Sequence, residues 1–318
     1  MTTYKEIHGT NIEVVSSDPS NPVEGQVWYN TTSNVVKGFI NNPGSWSTGG
    51  NLNTARRSMG TAGIQTAALA FAGRSPYVTA TESYNGTSWT EVGDINSVRQ
   101  GVSGAGTNTA ALGFGGYGPG VPLALTESWN GTNWTEVNDL NTGRFLQAGA
   151  GTSNTACLAF GGGVPALSVT ETWNGTNWTE VNDLNTARRQ LAGDGTNTAA
   201  LAFGGSDVVA VTESWNGTNW TEVNDLNTAR ATLGGAGTTT SALAFGGTTP
   251  SITAITESWN GTNWTEVGDL NVARKEIGGA GASNTSAIGF GGEQPPNTDS
   301  TATEEWNKGP VTVTFDVS

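Results

Sequence analysis

Short apolar runs, each stopped by a pair of glycines, alternate along this chain with polar stretches that carry isolated aromatic residues. In AALAFGG, at 199–205, the run reads as a buried strand ending where the backbone needs a positive φ or a close approach. Its Phe recurs at Phe71, Phe114, Phe160, Phe203, Phe245 and Phe290. Ahead of each Phe lies a Gly/Ala-rich stretch such as LAGDGTN at 191–197, too small to fill a thick core and suited to an innermost strand crowded near an axis.

After the glycines come VTESWN, Gly-Thr-Asn and WTEV, two β-prone segments joined across Asn-Gly, a strong hairpin signal. A loop of two residues or of four puts Trp215 and Trp220 on the same face of the hairpin. Burying a large aromatic removes roughly 150–250 Å² from water, at most about 4–6 kcal/mol. The tryptophans are therefore expected to supply much of the cohesion between neighbouring units.

Each copy supplies four short antiparallel strands and no helical period. The Arg before each inner strand falls at Arg56, Arg99, Arg144, Arg188, Arg230 and Arg274, so consecutive copies lie 43, 45, 44, 42 and 44 residues apart. Six four-stranded units at that period predict an all-β fold, a six-bladed β-propeller. Five hairpins carry both aromatics: Tyr84/Trp89, Trp129/Trp134, Trp173/Trp178, Trp215/Trp220 and Trp259/Trp264. The last copy has Trp306 without a second Trp, and Trp46 near the start has no first.

Two half-units make one blade if an N-terminal strand closes the ring, which hides its edges. Trp46 is thus expected to complete the blade of Trp306. The strand-like tail VTVTFDV at 311–317 competes for that place, with an extra outer strand as its second expectation. The chain accordingly divides into an N-terminal attachment segment with a β-hairpin at 1–37, the propeller at 38–310, and a C-terminal strand or tail at 311–318.

Composition narrows the chemistry. Twelve Trp in 318 residues argue for a folded globule, and a net charge of -14 with only 13 Lys and Arg leaves no basic patch for nucleic acid. One Cys and one His exclude an internal disulfide and any Cys/His metal cluster, so no metal and no cofactor is expected. Cys157 stands in ACLAF where another copy has AALAF, and is expected to be a small buried residue; His8 reads as a surface or turn residue. MTTYKEIHGTN has no apolar stretch after its charges, and no apolar run reaches membrane length, so neither a secretion signal nor membrane insertion is expected.

The order apolar strand, Gly-Gly, aromatic, turn, Trp, then Arg resembles the kelch repeat over about residues 38 to 307 in all six copies. Ala72-Gly73 replaces the glycine pair in the first copy, the aromatic-to-Trp spacing is short, and the first aromatic is usually Trp, which leaves the hairpin loop open. The segment DPSNPVEGQVWYNTTSNVVKGFINNPGSW, at 18–46, is similar to strand-turn-strand units of bacteriophage tail-fibre and other virion proteins. That resemblance implies a virion component assembled in the host cytoplasm, attached to other virion proteins through this segment and present in multiple copies in a symmetric assembly.

A kelch-type copper oxidase of sugars needs a modified Tyr-Cys pair and histidines, which this chain cannot assemble. SWNGTNW resembles the Asp-box of sialidases but has Asn for Asp and lacks a residue before Gly, so it reads as a turn. The NGT and NWT triplets, without a secretory signal, read as turns too. Glu180 with Asp183 recurs in nearly every copy, which favours solvated or turn-capping positions over a catalytic pair. Glu82, Glu127, Glu171, Glu213, Glu257 and Glu304 form a ring beside the ring of Arg, with mutual pairing expected ahead of an ion-holding channel.

The copies disagree after Gly-Gly: RSPYVTA, YGPGVPLAL, GVPALSV, SDVVAV, TTPSITAI and EQPPNTDSTA. In an antiparallel meander these loops share one face with the fourth-to-first connections. Arg74, Tyr77, Tyr117, Pro119, Pro165, Asp207, Pro250 and Gln294 are the candidate contacts there for host-surface glycan or protein. The leading expectation is a non-enzymatic virion structural protein, a tail fibre, appendage or capsid decoration. A soluble cellular kelch interaction module and a carbohydrate-active enzyme are the alternatives.

Overall fold

Small side chains on one strand and large ones on the next decide how each copy packs. A computed structural model describes residues 12–74 and 76–315; His8 lies outside the described residues. Blade four is typical, with strands Ala192–Gly195, Ala200–Phe203, Thr212–Trp215 and Trp220–Val223 in antiparallel order from inside to outside. The other inner strands are Gly60–Ile64, Ser103–Gly106, Ala148–Ser153, Gly234–Thr238 and Gly278–Ser283. Each meets the inner strands of the two blades beside it, and the series closes where Gly278–Ser283 meets Gly60–Ile64. The ring is a six-bladed, kelch-like β-propeller.

Register explains the tryptophan layer. Trp215 stands directly opposite Trp220, their ring centroids 5.4 Å apart. The loop between them has four residues, and the Asn216 side chain accepts from the backbone N–H of Thr218 and Asn219 at 2.9 and 2.8 Å, an Asx turn. Trp220 then reaches across to blade three. Its ring lies 4.9 Å from that of Phe160 and its indole N–H donates to Thr170 at 3.1 Å. Phe160 in turn lies over the inner strand of blade four, where a Cβ on Gly193 would come within 2.3 Å of its ring. The core is therefore six interblade wedges rather than one central mass.

Blade six is built from both ends of the repeat array. Its outer strand is the end of Val35–Thr48, paired with the start of Thr303–Phe315. Trp46 lies 5.6 Å from Trp306 and 4.9 Å from Phe245 of blade five, and donates to Thr256 at 3.0 Å. An N-terminal strand therefore closes the ring, as its unpaired Trp implied. The tail does not add an outer strand: up to Phe315 it prolongs the third strand, and 316–317 lie outside the described residues.

Two compact units divide the chain, Gly44–Asn307 and the residues on either side of it. In the smaller unit Val27–Asn30 pairs antiparallel with residues 35–38 and parallel with Glu13–Val15. Trp28 is fully buried and donates to Asp18 at 3.0 Å. Lys37, Asn30 and Trp28 all bond the Asp18 carboxylate and hold its pKa down at about 2.

Candidate functional site

The connection DLNTAR carries the chain from one blade to the next, and its side chains fasten both. Leaving blade two, Asp139 accepts from the N–H of Thr126 at 3.0 Å; entering blade three, Asn141 donates through backbone and side chain to Glu171 at 2.7 and 2.8 Å. Leu140 is buried between them. The repeated Arg then pairs with the same Glu, at 2.8 to 3.1 Å in all six blades, and both partners are buried. Arg188 also donates to the carbonyls of Gly204 and Val211 at 2.9 and 2.7 Å, so it pins the glycine turn below the variable loop. Burial lowers the pKa of Arg230 to about 10 against the opposing pull of Glu257, which leaves it charged at neutral pH. The Arg and Glu rings therefore hold loops, and neither lines the central channel.

Beyond each Arg, one residue takes a left-handed backbone: Ser58, Gly101, Leu146, Gln190, Thr232 and Glu276, with φ of 51–59°. These six are linked head to tail. Gly101 donates to Ser58, Leu146 to Gly101, Gln190 to Leu146, Thr232 to Gln190, Glu276 to Thr232, and Ser58 back to Glu276, over 2.8–3.2 Å. A closed collar of six peptide hydrogen bonds thus encircles the axis, on the face that carries the variable loops. Left-handed geometry costs about 1–3 kcal/mol at a side-chain-bearing residue; here it lets each N–H reach the preceding blade.

Among the predicted contacts, the structure brings three together. Gln100 exchanges backbone bonds with Tyr117 at 3.1 and 2.7 Å, and its side-chain amide donates to the Tyr77 hydroxyl at 3.1 Å. Tyr117 packs on Phe145 at 5.0 Å, and Arg74 bridges both Arg57 and Tyr77 through its backbone. Tyr77 is 44% exposed and Arg74 is exposed, so an aromatic and basic strip crosses blades one to three. Pro119 is exposed on the short hairpin of Tyr117–Gly118 and Val121–Pro122. Pro165, Asp207 and Pro250 are exposed, one to a blade, and join no common cluster.

Gln294 sits half-buried in the hairpin of Glu293–Gln294 and Thr298–Asp299. That hairpin is tied to blade one by Arg57, which pairs with Glu293, with Asp299 at 2.9 Å and with Glu276 at 3.5 Å. Gln100, Phe145 and Arg57 were not among the sequence candidates. They occupy the position after the repeated Arg, which reads Arg, Gln, Phe, Arg, Ala and Lys from copy to copy, and that disagreement was the available signal.

The inner strands surround a channel of about 390 Å³ lined mostly by Gly, Ala and Thr. Asp194 is the one titratable side chain lining it among the described residues. It occupies a position that is Ala62, Ala105, Ala150, Ala236 or Ala280 in the other blades. Its Oδ2 is sealed against Gly235 without a hydrogen-bond partner. Burial raises its pKa well above the ordinary carboxylate range.

Cys157 is buried, and burial pushes its thiol up to about 12, which suits a packed small side chain. Asp183 accepts from the N–H of Thr170 at 3.1 Å while Glu180 lies exposed opposite Glu171, so the two carboxylates do not converge. No group of three or more metal-binding side chains occurs, and no helix is long and apolar enough to cross a membrane, among the described residues.

No protein-family model matches the sequence, and no curated protein does. A solved structure described as "Structure of YjhT" superposes with a TM-score of 0.66 over 81% of this chain and 96% of that one, at 13% identity. At that identity the likeness speaks for the fold, and it agrees with the ring of blades: this chain is a β-propeller.

Proposed function

We propose that this protein is a non-enzymatic binding propeller of a virus particle. In this reading the smaller unit attaches it to other virion proteins, and the variable face meets host-surface glycan or protein. The observation that carries the binding reading is the strip of Tyr77, Tyr117 and Phe145 beside the exposed Arg74, set in the two parts of the repeat where the copies disagree, the stretch after Gly-Gly and the position after the repeated Arg. Aromatics and Arg dominate binding energy where they cluster. Arg also stands out on this chain, because six of its 13 basic residues are spent in the buried pairs, leaving a strongly acidic exterior. The virion assignment is supported by the resemblance of residues 18–46.

The test is binding to a glycan array and to host envelopes by the wild type and by Tyr77→Ala/Tyr117→Ala, with circular dichroism as the check on folding. Loss of binding by a folded variant supports the strip as the recognition surface. Undiminished binding removes it. Recovery of the protein from purified particles, with its neighbouring chains, tests the virion reading separately, and absence from all particles ends it.

A further inference from the structure

We propose that the central channel holds a small organic cation through Asp194. This site is separate from the variable face and does not rest on the reading given above. Five blades put a buried Ala at this inner-strand position, so the fold makes no demand for a carboxylate. The Asp194 carboxylate has neither a hydrogen bond nor an ion pair among the described residues, unlike every Arg and Glu of the buried rings. A carboxylate oxygen sealed from water without a donor, as Oδ2 is, is destabilising until one reaches the group.

The channel supplies the rest of a site. Its volume of about 390 Å³ falls within the range of small-molecule pockets. Asp194 lies against Gly235, and the channel is lined mostly by glycine and alanine, which suits a short carbon skeleton. Threonines 107, 152, 196 and 238 stand at the mouth away from the peptide collar. A single carboxylate with no second acid nearby favours one ammonium over a metal ion, which needs several oxygen ligands. An ammonium donating to Asp194 stabilises the charged carboxylate and so opposes the burial that raises its pKa.

The probe is cyclohexylammonium, with cyclohexanol as its neutral match in shape, titrated calorimetrically into the full chain at neutral pH. The expected result is saturable binding at one site, about tenfold or more tighter for the amine, as one charge-assisted hydrogen bond implies. Asp194→Asn and Asp194→Ala should each weaken amine binding by about tenfold or more. Asp194→Ala restores the residue of the other five blades and should fold, with circular dichroism as the check. Glu222→Gln, at an exposed outer-strand acid, should leave binding unchanged and so separates the channel from the acidic exterior. Equal affinity for cyclohexanol, undiminished binding by Asp194→Ala, or no saturable binding by the wild type overturns the proposal.

Discussion

Blade four is one continuous piece of chain, whereas blade six takes its outer strand from residues some 250 positions away, and the two differ little at their seams. Trp220 lies 4.9 Å from Phe160 and 3.1 Å from Thr170; Trp46 lies 4.9 Å from Phe245 and 3.0 Å from Thr256. Asn185 binds Glu213 and the carbonyl of Trp220 just as Asn271 binds Glu304 and the carbonyl of Trp46. Covalent continuity through the Asn-Gly turn is therefore not what positions the outer strand. The indole wedge and the Glu hub are.

The severest way to break this equivalence is to remove the wedge. Trp220→Ala and Trp46→Ala should each cost about 3–5 kcal/mol of unfolding free energy, measured by denaturant titration. Hydrogen exchange should separate them. In Trp46→Ala the outer strand has no turn to hold it, so amides of residues 44–48 should lose protection well before those of 220–223 do in Trp220→Ala. Equal exchange in the two would show that continuity adds nothing at all.

The hub comes next. Glu213→Gln and Glu304→Gln leave Arg188 and Arg274 buried without a counter-charge, and each should cost about 3–5 kcal/mol. Arg188→Met with Glu213→Leu removes both charges and should cost less than Glu213→Gln alone, which thermal unfolding would reveal. A double variant as damaged as the single one would mean that the bonds from Asn185 to Glu213 matter more than the ion pair.

Much of this was legible because a repeat displays its own exceptions. Trp46 without a first aromatic and Trp306 without a second announced the closing blade, and the NGTN turn brought its tryptophans together at either loop length. The peptide collar was not legible. Leu146, Gln190 and Glu276 carry no glycine signature for their positive φ, and the bonds joining them connect residues one whole blade apart. The strip of Tyr77, Gln100, Tyr117 and Phe145 was half legible: the tyrosines stood in the variable stretch, whereas their partners came from the neighbouring connection. Asp194 was in plain view within LAGDGTN, but only packing shows that it lacks a partner.

That exception yields a smaller effect of opposite sign. Asp194→Ala should stabilise the propeller by about 1–3 kcal/mol at neutral pH, the usual penalty of an unsatisfied buried polar group. The sign follows from its raised pKa. The folded state prefers the protonated acid, so the wild type has no deficit below the unfolded carboxylate pKa of about 3.9 and loses stability as pH rises from there toward the folded value. The gap in melting temperature between variant and wild type should therefore open as pH rises. A gap independent of pH would point to packing around Gly235 instead of charge.

The finest difference between the two blades lies where the chain leaves them. Asp225 accepts from the N–H of Thr212 at 3.0 Å, and Asp residues do the same in blades one, two, three and five. At the closure the position is Asn51, whose amide oxygen accepts from Thr303 at 3.4 Å. An ionised acceptor bonds a backbone N–H more strongly than an amide does. Asn51→Asp should therefore bring the closure into line with the other five seams and add about 0.5–1 kcal/mol. Its effect should fade as pH falls through the carboxylate range, because only the ionised form improves on Asn. A stabilisation seen at low pH as well would locate the weakness of the closing seam elsewhere than in this bond.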